Sequence, residues 1–209
     1  MNVNLWTSTD HAHDYLERAD SIKHRGEGES ALLEFFPKTA RCILDLGTGD
    51  GRLLALVRRE HPETEAVALD FSPAMLEAAR KRFAGNSSVP VIAHDLDHPF
   101  PVLEKFDTII SSFAIHHVVH DRKRALYSEI HGLLNADGVF CNLEHVASPT
   151  PVLHEEFLRE IGVARETEDP SNKLLDVETQ LRWLREIGFV DVDCHWKWRE
   201  LALLAGRRA

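Results

Sequence analysis

The chain is 209 residues long, with 44% hydrophobic and 28% charged residues. That composition suits one globular domain with a full core and excludes a disordered or low-complexity protein. The 34 acidic against 24 basic residues leave a formal charge of −10, and basic clusters are short, such as Arg122-Lys123-Arg124, so nucleic acid and anionic membranes are not expected partners.

Residues 8–36 read as one or two helices, interrupted by Gly26 and Gly28 and stopped by Pro37. Residues 41–46 form a first strand whose apolar run is nearly continuous, as in a strand buried on both faces. A glycine-rich turn and a helix over 51–60 follow. The second strand is 66–70; Ser72 at an N-cap and Pro73 at the first helical position open a helix that ends at Gly85. Strands are predicted at 89–93 and 106–112, then a helix over 122–134. Asp137-Gly138 turns the chain into a fifth strand at 139–144. An acidic helix over 152–161 and a polar loop over 165–173 lead to a helix capped by Asp176 and ended by Gly188. Strands at 190–196 and 200–205 close the chain as an antiparallel hairpin. The alternation of strands and helices predicts an α/β fold, a doubly wound, mostly parallel sheet with ligands at the carboxyl ends of its strands.

No apolar run reaches the ~20 residues needed to cross a bilayer, and the start of the chain lacks the basic-then-apolar order of a signal peptide. Cys42, Cys141 and Cys194 lie far apart in apolar runs and read as reduced core thiols. The expected location is cytoplasmic.

Three strand ends carry the chemistry. Asp45-Leu46-Gly47-Thr48-Gly49-Asp50-Gly51 ends the first strand, and its glycines allow a sharp turn and close approach of a ligand. A turn needing glycine for geometry alone is the plain alternative. Asp70 ends the second strand about 20 residues later, where a carboxylate can accept both hydroxyls of a ribose; the alternative is a helix-capping aspartate. His94-Asp95-Leu96 ends the third, where Asp95 either accepts from an exocyclic amine or forms a turn.

As a set these segments resemble the class I S-adenosylmethionine-dependent methyltransferase family. The likeness rests on Ile43-Leu-Asp-Leu-Gly-Thr-Gly-Asp-Gly51, Ala68-Leu-Asp-Phe-Ser-Pro-Ala-Met75, Ala93-His-Asp-Leu96, the block from Phe106 to His117, and Leu134-Asn-Ala-Asp-Gly-Val139. By position, residues 1–37 are expected to form an N-terminal helical lid before a core over 38–209, and the segment near 146–175 is expected to be either a lid-like insert or a surface excursion. The resemblance implies a Rossmann-like seven-stranded sheet with the last strand antiparallel. It implies S-adenosylmethionine as cofactor and methyl transfer to a small-molecule acceptor. Asp45, Gly47, Thr48 and Gly49 would line the methionine end and Asp70 would take the ribose. Phe71 and Met75 would flank the adenine, Asp95 and Leu96 would read its edge, and Ser112 would sit beside the cofactor. Tyr15 and Arg25 are candidate lid contacts.

Acceptor-side candidates are His116, His117, His120, Glu144 and His145, of which His117, Glu144 and His145 are the expected catalytic groups, since histidine titrates near neutrality. A metal built from those three is chemically open, but none is expected among thirteen scattered histidines. The amine-methylating motif Asn/Asp-Pro-Pro-Tyr is absent after the fourth strand, which reads Ser111-Ser-Phe-Ala114. At strand spacing Trp196 and Trp198 point the same way, toward core packing or a homodimer contact. Alternatives are an enzyme that modifies S-adenosylmethionine itself, a non-catalytic binder of it, and more distantly a dehydrogenase. The last is disfavoured by the third glycine falling two residues after the second and by Asp45, which suits an ammonium better than a pyrophosphate.

Overall fold

The computed structural model describes residues 5–18 and 22–209, leaving aside the side chains of residues 15, 17 and 18. Its helices are α1 (Thr9–Arg18), α2 (Arg25–Phe35), α3 (Arg52–Glu60), α4 (Pro73–Arg82), α5 (His120–Leu133), α6 (Pro151–Ile161) and α7 (Val177–Ile187). Its strands are β1 (Cys42–Leu46), β2 (Glu65–Asp70), β3 (Val91–Ala93), β4 (Phe106–Ser112), β5 (Leu134–His145), β6 (Phe189–Trp198) and β7 (Leu201–Arg208). They form one seven-stranded sheet in the order β3-β2-β1-β4-β5-β7-β6. The pairs from β3 to β5 are parallel, and β7 runs antiparallel to both its neighbours.

The continuous apolar run of β1 has a direct cause. Ile43 packs with Leu53, Leu54 and Val57 of α3 on one face, while Leu44 and Leu46 pack with Leu126, Tyr127 and Ile130 of α5 on the other. All three strand residues are fully buried, so neither face admits a polar side chain except where the strand ends.

Gly26 and Gly28 do not break a helix, contrary to expectation; both lie inside α2. A Cβ on Gly28 would stand 2.7 Å from Leu143 and 2.9 Å from Trp196, so the missing side chain lets α2 lie flat on the sheet. Trp196 is thus core packing. Helix α1 is separate and packs on α4, with Ala12 against Ala74 and Met75, flanked by Trp6 and Leu16.

β1 is the strand from which the order runs outward in both directions, to β2 on one side and β4 on the other. A crevice opens at such a switch point, outside the carboxyl ends of the strands.

Candidate active site

The turn after β1 is built by backbone geometry. Gly47 has φ +62°, and a Cβ there would lie 2.2 Å from that of Ala114, so only glycine lets this turn meet the segment after β4. The Thr48 amide donates to Leu69 O at 2.8 Å. The Gly49 amide donates to Asp70 Oδ2 at 2.9 Å, and the Ser72 amide to Asp70 Oδ1 at 2.9 Å. Asp70 therefore ties the glycine turn to the start of α4. Ser72 occupies the N-cap, but its side chain makes no capping bond; Asp70 satisfies the backbone there instead.

A cavity of about 860 Å³, counting the part open to solvent, lies over these strand ends. Its wall includes every residue expected on the cofactor side: Asp45, Gly47, Thr48, Gly49, Asp70, Phe71, Met75, Asp95, Leu96 and Ser112. Arg25 and His117 are also there. Arg25 is buried, donates to Glu29 Oε1 at 2.9 Å and lies over the Phe113 ring. The side chain of Tyr15 lies outside the described residues. Sequence reasoning passed over Trp6, Asp50, Leu53, His94, Asp97, Phe113, Ala114 and Val118 as site residues, which complete the wall. Asp50, His94, Phe113 and Ala114 adjoin the motifs; Trp6 had no local signal.

The electrostatics are unusual. Asp45 is 1% exposed and accepts the Thr48 hydroxyl at 2.6 Å; burial pushes its carboxyl up to about 7. Burial likewise raises Asp70 to about 6. With Asp50, Asp95 and Asp97, five aspartates line one cavity. Asp95 also forms the turn considered for it, accepting the Asp97 amide at 2.9 Å.

Buried polar atoms on this wall lack partners among the described residues: Ser112 Oγ, His94 Nε2, Asp97 Oδ1 and His117 Nε2. Each such atom costs about 1–3 kcal/mol unless something satisfies it. The donor set fits S-adenosylmethionine: a desolvated carboxylate for an ammonium, a second for paired hydroxyls, and apolar Phe71, Met75 and Leu96 for a flat base.

The acceptor-side expectations divide. His117 is on the cavity wall; Glu144 and His145 are not. Glu144 is fully buried and accepts from His116 Nδ1 at 2.9 Å, Asn142 Nδ2 at 3.2 Å and the His145 amide at 3.0 Å. Burial raises its pKa, with buried Lys123 acting the other way. His145 Nε2 meets Glu200 Oε2 at 3.0 Å, and Glu200 in turn meets His154 Nδ1 at 2.9 Å. Both side chains thus serve a polar network beside the cavity, which accounts for their lying off its wall. His116 is buried and held below the usual histidine range by burial and by His145; His120 is exposed and meets Leu174 O at 3.2 Å. Among the described residues, no group of three or more His, Cys, Asp or Glu side chains is arranged to hold a metal.

A family model described as a methyltransferase domain matches residues 43–138. The demethylmenaquinone methyltransferase of Clavibacter sepedonicus is 29% identical over 173 residues, covering 75% of this chain and 69% of that protein. A carboxy-S-adenosyl-L-methionine synthase of Helicobacter hepaticus is 24% identical over 218 residues, covering 93% and 90%. Among solved structures, an O-methyltransferase family protein from Burkholderia thailandensis superposes with a TM-score of 0.76 at 20% identity, covering 98% of this chain and 61% of that one. At that identity the likeness concerns the fold, and the chain spans about three fifths of the larger protein.

Proposed function

We propose that the chain is a class I S-adenosylmethionine-dependent methyltransferase that transfers a methyl group to a small-molecule acceptor by in-line displacement in the cavity above β1 and β4, a reading supported by the methyltransferase-domain match over residues 43–138. The supporting observation is that ten residues expected on the cofactor side line a single cavity. When bound, S-adenosylmethionine supplies an electrophilic methyl carbon on a sulfonium.

The chain's own residues bind, orient and exclude water. Asp45 receives the ammonium and Asp70 the ribose hydroxyls; charge-assisted hydrogen bonds of this kind contribute about 1.5–3 kcal/mol each. Phe71 and Met75 flank the adenine, while Asp95 and Leu96 meet its edge. Ser112 Oγ, unpartnered and buried, lies on the wall of the same cavity. Holding both reactants in one orientation supplies up to ~7–11 kcal/mol toward such a displacement. Within the N-terminal lid, Trp6 and Arg25 lie on the cavity wall and α1 packs on Met75 beside it. Three free thiols suit a reducing, cytoplasmic setting; among the described residues no helix is long and apolar enough to cross a membrane.

Calorimetric titration with S-adenosylmethionine and S-adenosylhomocysteine tests the reading, followed by assay of S-adenosylhomocysteine formation with an acceptor pool. Micromolar binding and turnover are expected; absence of binding to either would overturn it. A second reading, modification of S-adenosylmethionine itself, is favoured by the near full-length similarity to a carboxy-S-adenosyl-L-methionine synthase. It requires consumption of S-adenosylmethionine without S-adenosylhomocysteine as product.

A further inference from the structure

Beyond the cofactor residues, a second buried chain of contacts reaches the cavity from the far end of the sequence. Ser171 is 1% exposed, though it lies in the excursion between α6 and α7. Its Oγ donates to Asp169 Oδ1 at 2.6 Å and lies 3.1 Å from His117 Nδ1. The excursion is anchored beside His117. The Lys173 amide donates to His116 O at 2.7 Å and the Ala147 amide to Leu175 O at 3.1 Å, while Lys123 Nζ donates to Lys173 O at 3.2 Å.

A hydroxyl has one proton. The short bond to an acidic oxygen takes it, so Ser171 Oγ can only accept from His117, and the proton of the neutral imidazole resides on Nδ1. Nε2 is then the lone-pair nitrogen, and it is buried without a partner among the described residues. Trp6 lies against the ring at 5.4 Å between centroids. We propose that Ser171 and Asp169 are positioning residues that fix the His117 tautomer, making Nε2 a general base for acceptors whose nucleophilic atom carries a removable proton, such as a phenol or a thiol.

This rests on the methyl-transfer reading. The acceptor's proton passes to Nε2, and its lone pair bonds to the methyl carbon as the carbon–sulfur bond breaks, the bonding pair staying on sulfur. Asp169, reached through Ser171, stabilises the imidazolium formed. The charge of the wall explains why a base is needed. Its ionised carboxylates, Asp95 and Asp97 among them, disfavour an acceptor that arrives as an anion, whereas a neutral one enters and loses its proton in place. Burial, then neighbouring His116, hold His117 well below the usual histidine range, with Asp169 and Glu144 acting upward, so it is neutral and ready to accept at neutral pH. Among the described residues, His11 Nε2, 3.5 Å from Asp169, and Lys173 Nζ, which donates to Ser171 O at 2.8 Å, also face this chain of contacts.

The test is long-range nitrogen–proton NMR of the full chain, reading the His117 tautomer without ligand, together with kinetics across pH on a panel of phenols, thiols and tertiary amines. The wild type is expected to show the proton on Nδ1. Ser171→Ala should lose that preference and lower kcat at least tenfold with little change in KM. Its acid limb should move to lower pH, and Ser171→Thr should restore both. His117→Gln should still bind S-adenosylhomocysteine but not turn over. A wild-type tautomer protonated on Nε2, or binding and turnover that survive His117→Gln, would overturn the proposal; loss of all cofactor binding by the wild type would instead overturn the methyl-transfer reading.

Discussion

The carboxylate of Asp70 holds the amide of Gly49 at 2.9 Å, joining residues 21 apart into one rim. A side chain expected to receive a ligand is therefore also a strut, and both uses are compatible because a carboxylate accepts more than two hydrogen bonds. Asp70→Ala should weaken S-adenosylmethionine binding by at least tenfold, about 1.4 kcal/mol or more, with the fold retained by circular dichroism. Unchanged affinity in a folded variant would remove Asp70 from the ribose site.

Acidity should govern cofactor binding. Burial sets Asp45 at about 7 and Asp70 at about 6, and a cationic or hydroxyl-rich ligand favours their ionised forms. Affinity for S-adenosylhomocysteine, measured calorimetrically, should therefore rise from pH 5.5 to pH 8, and Asp45→Asn should flatten much of that rise.

The same shift works against the ligand-free fold. A raised carboxyl holds its proton in the folded state through a window, from about 4 to 7 for Asp45, in which the unfolded chain has lost it. Its contribution is present below that window and lost as pH climbs through it. The Tm of the ligand-free wild type, relative to that of Asp45→Asn, should fall between pH 5 and pH 7 and level off above that. A constant difference would contradict the desolvated carboxylate.

Gly47→Ala combines a left-handed backbone with a Cβ placed 2.2 Å from that of Ala114. The backbone alone costs about 1–2 kcal/mol, and the clash adds to it. Thermal unfolding should show a clear loss of Tm, and the double variant with Ala114→Gly should recover part of it, leaving the backbone cost. No recovery would mean that the two segments do not press together.

Glu144→Ala should act on stability. It leaves buried Lys123 without its nearby carboxylate and His116 without its acceptor, a change of the kind that costs about 3–5 kcal/mol. We expect a large loss of Tm, with cofactor affinity of the folded protein unchanged. A stable variant with lost turnover would return Glu144 to the catalytic list.

The cofactor side was legible because its signals are local. Glycines at a strand end and an aspartate one strand later need only the strand alternation to be placed, and β4 begins and ends where its apolar run predicts, at Phe106 and Ser112. The alternatives weighed for Asp70 and Asp95, a helix cap and a turn, are both observed. The acceptor side was less legible for the opposite reason. Whether Glu144 or His145 faces the cavity depends on the packing of β5 against β7 and α6. Ser171 reaches His117 across 54 positions, a separation that leaves no periodic trace. The Gly28 reading failed because close packing against Leu143 and Trp196, invisible in a one-dimensional pattern, outweighs the low helical propensity of glycine; Gly26, with open space about it, sits in the first turn of α2.

The wall of five aspartates also sets the direction of traffic. S-adenosylmethionine enters carrying a sulfonium charge, and the by-product leaves without it. A negatively charged chamber grips the first more firmly than the second, so the grip loosens at the moment the methyl group departs. Turnover then favours release of the spent donor, and the margin by which the sulfonium outcompetes the by-product is widest at the alkaline pH where Asp45 and Asp70 are fully ionised.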